Sequence, residues 1–596
     1  MKKTLLAVVS IVIIVTMLLS IYLAIDVEKN LMIRRKIVSI LDPTEMVHQT
    51  AKVLYGMGDD AIIDEHSDWI LQKKNDENRT FINIENLKTE WISSHYDTDN
   101  FILSIVDGRH HIQIDQLGNV KVDFKLVDHR VEIIQLDDSY YLDLTALIKL
   151  PEGEALGFYE FSYHSGDSLV IMNRYLPYRV YTSSDEIKVF GTIEALTNYQ
   201  EKHYSIDFLY KLNNLFNKAQ IVDLIKNKPL YLFNLDEKSV LVVTNESVYG
   251  IVDNSIYSKS TIIEGKKREV SVINKEVPEK IVMTWEAVYS YNPDPTTIPD
   301  LPNLNVISPT WYELSDAEGN INGNPSEAYI NWTKEKGLIL WPLVSNAFDI
   351  DLTHTFLNNA ISREHFIQAL ILEAKLKGYS GINIDFENVY LADRDALTHF
   401  IAELAIYMNQ EGLVLSMDVT VMGGSDNWSK CYDHEKLGKI VDFLIIMTYD
   451  EFWASSPVSG PVASYDWMLR HMTELTEVVS KDKLVLGIPL YTRVWREYPR
   501  EDVANQIRTK SSAIGMAAQN ALIEKYELKP IWDETDQLYY ATFFEEDAQV
   551  KIWIENAETI SAKLDIVNNL NLKGAASWRR GFETEDIWPI FEKILK

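Results

Sequence analysis

The stretch Gly381-Ile382-Asn383-Ile384-Asp385-Phe386-Glu387-Asn388 alternates apolar and polar side chains with a period of two. Successive residues of a β-strand point to opposite faces, so Asn383, Asp385 and Glu387 share one face and the apolar residues between them share the other. The apolar face requires a covering layer of helices. The stretch therefore predicts a barrel strand with two carboxylates near its carboxyl end, where such barrels carry their chemistry. The same alternation, taken alone, is also typical of a half-exposed antiparallel strand.

The flanking sequence favours the barrel. A helix is predicted just before the strand, with Ser362 as its N-cap and Gly378 at its end. Strand-like apolar runs also recur through the C-terminal half with helix-patterned segments between them, as parallel α/β folds require. The runs number eight, which is the count of a (β/α)8 TIM barrel. They are Lys280–Tyr289, Asn305–Trp311, Gly337–Val344, Gly381–Glu387, Leu413–Val421, Val441–Tyr449, Leu484–Leu490 and Gly574–Trp578.

Several separated motifs across residues 278–596 resemble glycoside hydrolase family 18, in its bacterial cell-wall and spore-associated branch. They are Asn383-Ile384-Asp385-Phe386-Glu387-Asn388, Ile307-Ser308-Pro309-Thr310-Trp311, Met447-Thr448-Tyr449-Asp450, Gly487-Ile488-Pro489-Leu490-Tyr491-Thr492-Arg493 and Ala576-Ser577-Trp578-Arg579. The common chitinase form of the first motif is D-x-x-D-x-D-x-E. This chain has Ser380 and Asn383 at the first two acidic places and keeps the last two acids.

The residue types fit glycosidic bond cleavage, which needs an acid for the leaving oxygen and negative charge near the cationic anomeric carbon. Glu387 is the candidate acid, and Asp385 on the same face raises its proton affinity. The resemblance implies substrate-assisted catalysis, in which the acetamido oxygen of the substrate attacks the anomeric carbon. It also implies that Asp385 accepts the acetamido N–H, that Tyr449 donates to the acetamido oxygen, and that neither a metal nor a cofactor is needed. Asn383 is expected to orient Asp385 by hydrogen bonding.

Further residues are candidates for substrate binding. The resemblance places Trp578 as an apolar floor under the reacting sugar, with a core tryptophan as the alternative. Asp450 binds a sugar hydroxyl or caps the next helix. Met447 and Trp311 complete the predicted set, and Trp341 and Asp418 are further candidates, but a core or hydrogen-bonding role suits Trp311, Trp341 and Asp418 equally well. Glu286 ranks below Glu387 because it has no carboxylate partner two residues away.

An insertion is predicted between Trp495 and Gly574, at about residues 496–573, because the interval exceeds what one βα unit needs. Within it, Pro530–Asp533 and Tyr539–Phe543 are predicted to be short antiparallel strands. The insertion would form a small α+β lobe that walls one side of the cleft or mediates contact with a partner.

The N-terminus predicts a membrane anchor over residues 1–27. Thr4–Ile25 is an uncharged run long enough to span a bilayer, and it lacks a good cleavage site. The predicted location is therefore the cell membrane, as a single-pass protein with the catalytic domain on the extracytoplasmic side. Secretion after cleavage is the alternative. The one cysteine, Cys431, excludes an internal disulfide framework.

Composition sets limits on partners. The 596-residue chain is long enough for two to four domains, and its formal charge of −31 argues against nucleic acid and against a polybasic lipid contact. Residues 45–225 are predicted to be a mostly-β accessory domain, loosely resembling the N-terminal module of copper amine oxidases without implying copper. Residues 226–270 resemble an SH3-like module, for which wall binding and a spacer role are equally open.

Two function classes follow. The first is a membrane-anchored glycosidase acting on glycans that contain N-acetylglucosamine, with peptidoglycan or spore cortex ahead of chitin. The second is a catalytically silent glycan-binding or assembly protein on the same barrel. The presence of Glu387, Asp385 and Tyr449 favours the enzyme, because silent relatives typically lack the acid.

Overall fold

The computed structural model describes residues 273–499 and 507–595 continuously, and residues 93–150 with gaps at 109, 137, 138 and 149. Between residues 46 and 263, the rest of the chain is described only as separate segments, and nearly all of these are strands. The chain divides into two compact units, residues 1–271 and 272–596.

The described residues of the first unit lie mostly in strands. Five strands form the antiparallel meander Ser93–Asp97, Ile102–Val106, His111–Ile114, Asn119–Val122 and Lys125–Arg130. A second sheet contains Met46–Gln49, Ile70–Lys73, Asp76–Asn83, Ser139–Asp143 and Ile133–Leu136, and the short helix Leu144–Ile148 follows it. Side chains of the two sheets, including Ile82, Leu103, Ile112 and Leu142, share one buried apolar cluster.

A third sheet of the first unit joins strands from both predicted accessory domains. Its members are Lys52–Met57, Asp60–Glu65, Tyr163–His164, Ser168–Met172, Tyr178–Tyr181, Ile187–Phe190, Ile221–Ile225, Leu230–Asn234, Ser239–Val243, Tyr249–Asp253 and Thr261–Ile263, with a 3₁₀ helix at Asn254–Lys259. Leu230–Asn234 pairs with Tyr178–Tyr181 and with Asp60–Glu65, so strands of residues 226–270 continue a sheet that begins before them. The SH3-like module and the copper-amine-oxidase-like domain stay predictions.

The predicted membrane location is wrong. Among the described residues, no helix is both long enough and apolar enough to cross a bilayer. The segment that carried this prediction, residues 1–27, lies outside the described residues.

The second unit contains the barrel, and its elements are numbered here from residue 272 onward. The strands are β1 Ile281–Glu286, β2 Val306–Leu314, β3 Ile321–Gly323, β4 Ile339–Leu340, β5 Leu343–Ser345, β6 Gly381–Asp385, β7 Val414–Thr420, β8 Phe443–Met447, β9 Leu484–Pro489, β10 Tyr491–Pro499, β11 Ile507–Gly515, β12 Ile531–Asp533, β13 Leu538–Glu545, β14 Ala548–Ile554 and β15 Gly574–Trp578.

The helices alternate with the barrel strands. They are α1 Glu327–Lys336, α2 Ile350–Leu357, α3 Ala360–Lys377, α4 Arg394–Gln410, α5 His434–Ile440, α6 Tyr465–Leu475, α7 Met516–Lys525, α8 Ala557–Leu570 and α9 Trp588–Ile594. Short 3₁₀ helices occur at Pro295–Thr297, Leu391–Asp393 and Lys481–Lys483, and a π-helical turn occurs at Asp426–Lys430.

Eight parallel strands of the described residues close into the predicted (β/α)8 TIM barrel. Their order is β1, β2, β5, β6, β7, β8, β9 and β15, and β15 pairs back onto β1 through Ile281 and Gly574. Each of the eight apolar runs identified in the sequence supplies one of these strands. The barrel interior is filled by large side chains from alternate positions, among them Trp285, Leu343 and Ile445. The interior is therefore a packed core, and only its carboxyl end is open to chemistry.

The outward face of β6 is covered by helices, as its apolar alternation predicted. Ile382, Ile384 and Phe386 are at most 1% exposed. Phe386 stacks on Phe400 of α4, with ring centroids 5.5 Å apart. Burial of these apolar side chains fixes the register of β6, because a shift by one residue would bring them inside and turn the carboxylates toward the helices.

Helix α3 ends where the sequence predicted and begins slightly earlier. Gly378 adopts φ +71° directly after the helix, the left-handed conformation that glycine tolerates best. The N-cap is Asn359 rather than Ser362, because the Asn359 side chain accepts from the backbone N–H groups of Ile361 and Ser362. Both residues suit an N-cap, and the preceding turn decides between them.

A buried ion pair joins α3 to α4. The guanidinium of Arg363 donates to both carboxylate oxygens of Glu403, at 2.7 and 3.1 Å, and a third bond reaches the Leu357 carbonyl at 2.7 Å. Both side chains are at most 1% exposed. Replacing only Arg363 would leave the Glu403 charge buried without this partner.

We expect Arg363→Met to lower the free energy of unfolding by about 3–5 kcal/mol, the usual effect of breaking a buried pair from one side. Urea unfolding of the full chain, followed by tryptophan fluorescence, measures this loss. The matched control is Lys336→Met, which breaks the exposed pair with Asp300 and is expected to change stability by about 0–1 kcal/mol. Equal effects of the two substitutions would contradict the structural role of Arg363.

The segment between β9 and β15 forms a separate antiparallel sheet beside the barrel. Its strand order is β11, β10, β14, β13 and β12, with α7 between β11 and β12. The sequence placed short strands at Pro530–Asp533 and Tyr539–Phe543, and β12 and β13 lie there. The sheet begins at Tyr491, five residues before the predicted start of the insertion, because β10 follows β9 almost without a loop.

Candidate active site

Asn383 lies inside the barrel below the carboxylate pair, and all its hydrogen-bonding capacity is used there. Its Oδ1 accepts from Trp285 Nε1 at 3.0 Å and from Ser308 Oγ at 3.2 Å. Its Nδ2 donates to Asp418 Oδ1 at 2.9 Å and to Ser416 Oγ at 3.2 Å. Asn383 is fully buried. It therefore orients Asp418, rather than Asp385 or a sugar.

Asp385 and Glu387 lie on the same inward face as Asn383, closer to the carboxyl end of the barrel. Burial raises the pKa of Asp385 well above its usual range, and the negative charge of Asp418 raises it further. Burial likewise raises the pKa of Glu387, with added contributions from Asp385 and Asp450. Because these carboxyls repel each other's charge, Glu387 stays protonated to a higher pH than an ordinary glutamic acid.

One oxygen of Asp385 has no partner. Asp385 is 7% exposed, and its Oδ1 is buried without a hydrogen bond to any described residue. A buried acceptor of this kind is destabilising unless something binds it. The atom is therefore available to accept a hydrogen bond from a substrate N–H or O–H.

Asp418 on β7 is the third carboxyl of the group and is 1% exposed. Burial and the charge of Glu387 raise its pKa, while hydrogen bonds from Asn383 and Trp285 lower it. These two donors offset only part of the rise, so the pKa of Asp418 stays well above its usual range and its charge is felt by the pair above it. The sequence had ranked Asp418 only as a lower candidate.

Tyr449 and Met447 continue the inward face of β8. The Tyr449 hydroxyl makes no hydrogen bond to a described residue. Burial raises its pKa well above the usual range, so the phenol stays protonated and can donate. Met447 is 8% exposed and pairs in register with Thr420 of β7. Tyr449 is thus available as a donor at the barrel mouth, and Met447 is a buried residue of the same strand.

Trp578 ends β15 and is partly exposed above the barrel core. Its ring centroid lies 5.8 Å from that of Trp285, and both belong to the cluster that fills the interior. The peptide bond from Trp578 to Arg579 is cis. Trp578 therefore packs partly in the core and keeps part of its surface exposed, while its role as a floor under the sugar stays a prediction.

Asp450 is held by two residues at the start of the lobe sheet. Its Oδ1 accepts from Tyr491 Oη at 2.7 Å and from an Arg493 guanidinium nitrogen at 2.9 Å. The alternative that Asp450 caps the next helix is wrong, because the N-cap of that helix, α6, is Ser464. The Asp450 side chain remains 40% exposed, so it can still bind a sugar hydroxyl.

Three other candidates lie away from the carboxylate group. Trp311 packs against Tyr329 and Tyr379 in the helix layer and donates to Asn292 Oδ1 at 2.6 Å. Trp341 stacks on Phe443 at the amino end of the barrel. Glu286 forms a buried ion pair with Arg580 and accepts from Tyr329. None of the contacts named here for these three side chains reaches Asp385 or Glu387.

The sequence missed Tyr491 and Arg493 as site residues, although both belong to a motif quoted for the resemblance. The sequence pattern after β9 does not indicate that their side chains contact Asp450. Asn346, whose side chain contacts the backbone of Glu387, was missed as well because it lies in a loop without periodicity.

A closed parallel barrel with coupled carboxyls at the carboxyl ends of its strands defines an enzyme of the (β/α)8 class with acid–base chemistry at its mouth. Comparison with known proteins finds a family match within the barrel. Residues 349–583 match glycosyl hydrolases family 18. By this match within the barrel, the protein is a glycoside hydrolase.

Curated relatives include an uncharacterized glycosylase, YvbX, of Bacillus subtilis (strain 168), which is 27% identical over 49% of this chain and 85% of its own length. The cortical fragment-lytic enzyme of the same organism is 27% identical over 42% of this chain and 58% of its own length. Among solved structures, a chitinase from Chromobacterium violaceum ATCC 12472 aligns with a TM-score of 0.47 and 26% identity, covering 53% of this chain and 99% of that one.

Proposed function

We propose that the protein hydrolyses β-linked glycans containing N-acetylglucosamine, with retention of configuration and with the substrate's acetamido oxygen as nucleophile. The observation that carries this proposal is the pair Asp385 and Glu387, in which one carboxyl has an unpartnered oxygen and the other a raised pKa. The first can hold an acetamido N–H, and the second can deliver a proton to the leaving oxygen.

The reaction would proceed in two steps. In the first, the acetamido oxygen bonds to the anomeric carbon while the glycosidic oxygen departs with the proton of Glu387. Asp385 accepts the acetamido N–H and stabilises the cationic ring that forms, and Tyr449 donates to the acetamido oxygen. In the second, water adds to the anomeric carbon and gives its proton to the Glu387 carboxylate, which restores both the acid and the acetamido group.

The surroundings of the pair fit a neutral sugar at the reacting position. Asp385, Glu387, Asp418 and Asp450 are all carboxyls, and Arg493 is already paired with Asp450, so none of these described residues offers a free cation to an anionic sugar. An anionic sugar would be repelled there, whereas N-acetylglucosamine is uncharged. Trp578 offers an apolar indole surface to the ring, and Asp450 offers an acceptor for a hydroxyl.

The substrate polymer we favour is peptidoglycan, in particular spore cortex. Similarity to a cortical fragment-lytic enzyme over 58% of that protein's length supports this choice. Chitin contains the same acetamido sugar and could occupy the same reacting position. The two polymers differ in the neighbouring sugars, which carry lactyl groups and peptides in peptidoglycan.

We expect the full-length protein to release new N-acetylglucosamine reducing ends from purified peptidoglycan, faster than from chitin oligomers at equal sugar concentration. Reduction with borohydride followed by mass spectrometry identifies the new ends. Cello-oligomers, which have a hydroxyl in place of the acetamido group, are the matched substrate control and should remain intact. Cleavage of cello-oligomers would contradict the substrate-assisted mechanism. Faster cleavage of chitin would assign the protein as a chitinase, and binding without cleavage would make it a silent glycan-binding protein.

A further inference from the structure

The catalytic acid lies beyond the last hydrogen-bonded pair of its strand. Strand β6 ends at Asp385, whose register partner on β5 is Ser345, and pairing with β7 ends at Ile384. The sheet therefore does not fix the backbone of Glu387. Any constraint on the position of its carboxyl must come from other contacts.

One buried side chain supplies that constraint on both sides of the residue. The backbone N–H of Glu387 donates to Asn346 Oδ1 at 3.1 Å, and Asn346 Nδ2 donates to the Glu387 carbonyl at 2.6 Å. Asn346 is fully buried. A single amide thus binds both polar backbone groups of the acid.

Asn346 is itself held firmly by its own loop. Its Nδ2 also donates to Thr353 Oγ1 of α2 at 2.8 Å, and its Oδ1 also accepts from the Phe348 N–H at 3.3 Å. Ala347 and Phe348 both have φ of +55°, an uncommon conformation for residues other than glycine. Strained backbone of this kind persists only where the surrounding contacts determine it. The amide is therefore a rigid support for Glu387.

We propose that Asn346 is a positioning residue for catalysis: by binding both backbone groups of Glu387, it holds the acid within reach of the glycosidic oxygen. This inference rests on the proposed function, in which Glu387 protonates the leaving group. Asn346 touches neither substrate nor reacting atoms in this role. Its loss would displace the acid and leave the acid's chemical identity unchanged.

The test compares Asn346→Ala with a control substitution, Asn305→Ala, at the other end of the barrel. The Asn305 side chain also makes two hydrogen bonds to backbone groups, here at the start of β1. It accepts from the Val282 N–H at 2.9 Å and donates to the Lys280 carbonyl at 2.8 Å. Asn305→Ala removes an equivalent pair of hydrogen bonds far from the acid. Both variants are expected to lower the melting temperature.

We expect Asn346→Ala to lower kcat by about 10²-fold, the effect of a displacement of about 1 Å at a catalytic group, with KM nearly unchanged. Asn305→Ala should keep the kcat of the wild type. The loss should also depend on the leaving group. It should be large for a chitin oligomer, whose leaving oxygen needs a proton, and small for a dinitrophenyl glycoside of the same sugar, whose leaving group departs without one.

A second variant covers the case in which Asn346→Ala does not fold. Asn346→Asp keeps an acceptor for the Glu387 N–H and replaces the donor to its carbonyl by a second oxygen. It should lower kcat with the same leaving-group dependence. Its added negative charge should also raise the pKa of Glu387 and so move the alkaline limb of the pH profile to higher pH.

The outcomes separate the inference from the proposed function. Equal kcat for Asn346→Ala, Asn305→Ala and wild type would overturn the positioning role, as would a loss independent of the leaving group. A wild-type protein inactive on every acetamido glycan would instead overturn the proposed function.

Discussion

Glu387→Gln is expected to lower kcat on acetamido glycans by about 10²–10⁴-fold, the range over which a general acid contributes. Glutamine has nearly the shape of glutamic acid, so substrate binding and KM should change little. Burial and the charges of Asp385 and Asp450 keep the Glu387 proton in place. Glutamine cannot transfer a proton to the glycosidic oxygen, so that oxygen would leave as an unstable alkoxide. Steady-state kinetics on chitin oligomers and on peptidoglycan measure the loss.

The control for this substitution is Glu451→Gln. Glu451 follows Asp450, and burial raises its pKa as well, but its carboxylate accepts from the Ser464 N–H, a bond that glutamine can also accept. We expect Glu451→Gln to keep the wild-type kcat. A dinitrophenyl glycoside should restore much of the activity of Glu387→Gln, since its leaving group needs no proton. Retention of full activity on natural glycans by Glu387→Gln would contradict its assignment as the acid.

Asp385→Asn is expected to lower kcat by about 10²–10³-fold, since it removes the negative charge that faces the cationic intermediate. It should also move the alkaline limb of the pH profile to lower pH. In the proposed mechanism, activity requires protonated Glu387 and is lost as pH rises through the pKa of that group. The Asp385 charge raises this pKa, so removing the charge lowers it and brings the loss of activity to lower pH.

The same substitution should stabilise the fold at neutral pH. Because the pKa of Asp385 is raised in the folded state, the protein loses stability as pH rises from the ordinary carboxyl value toward the folded value. Asparagine has no such charge. The melting temperature of Asp385→Asn should therefore exceed that of the wild type near pH 7, and the difference should shrink toward pH 4.

Kinetics and calorimetry on the same preparation test both effects together. Loss of activity accompanied by higher stability would show that the buried charge serves catalysis at the expense of the fold. Loss of both activity and stability would mean that Asp385 is a structural residue. As a control, Asp442→Asn alters a carboxylate that binds Lys275 and the Leu415 N–H away from the mouth, and it should leave the pH profile unchanged.

Two features of the site could be predicted because they are local. The period-two alternation of residues 381–388 places Asp385 and Glu387 on one face of a strand, whatever surrounds it. The eight apolar runs likewise located all eight barrel strands, since buried parallel strands are recognisable by hydrophobicity and by their spacing. The same reasoning applied to Trp311 did not locate its contacts. A register shift between Thr310 and Tyr312, within β2, leaves both Trp311 and Tyr312 in ring contact with Tyr379.

The sequence by itself determined which face of β6 is polar, how many strands the barrel has and that Asp385 and Glu387 share one face, because these follow from short-range periodicity. Only the tertiary structure decided which distant groups meet them. Asn383 binds Asp418 from 35 positions away, Asn346 binds the backbone of Glu387 from 41, and Arg493 binds Asp450 from 43. Periodicity fixes the direction of a side chain, but closure of the barrel brings these groups within hydrogen-bonding distance. The acid's proton affinity and position therefore arise from the folded barrel.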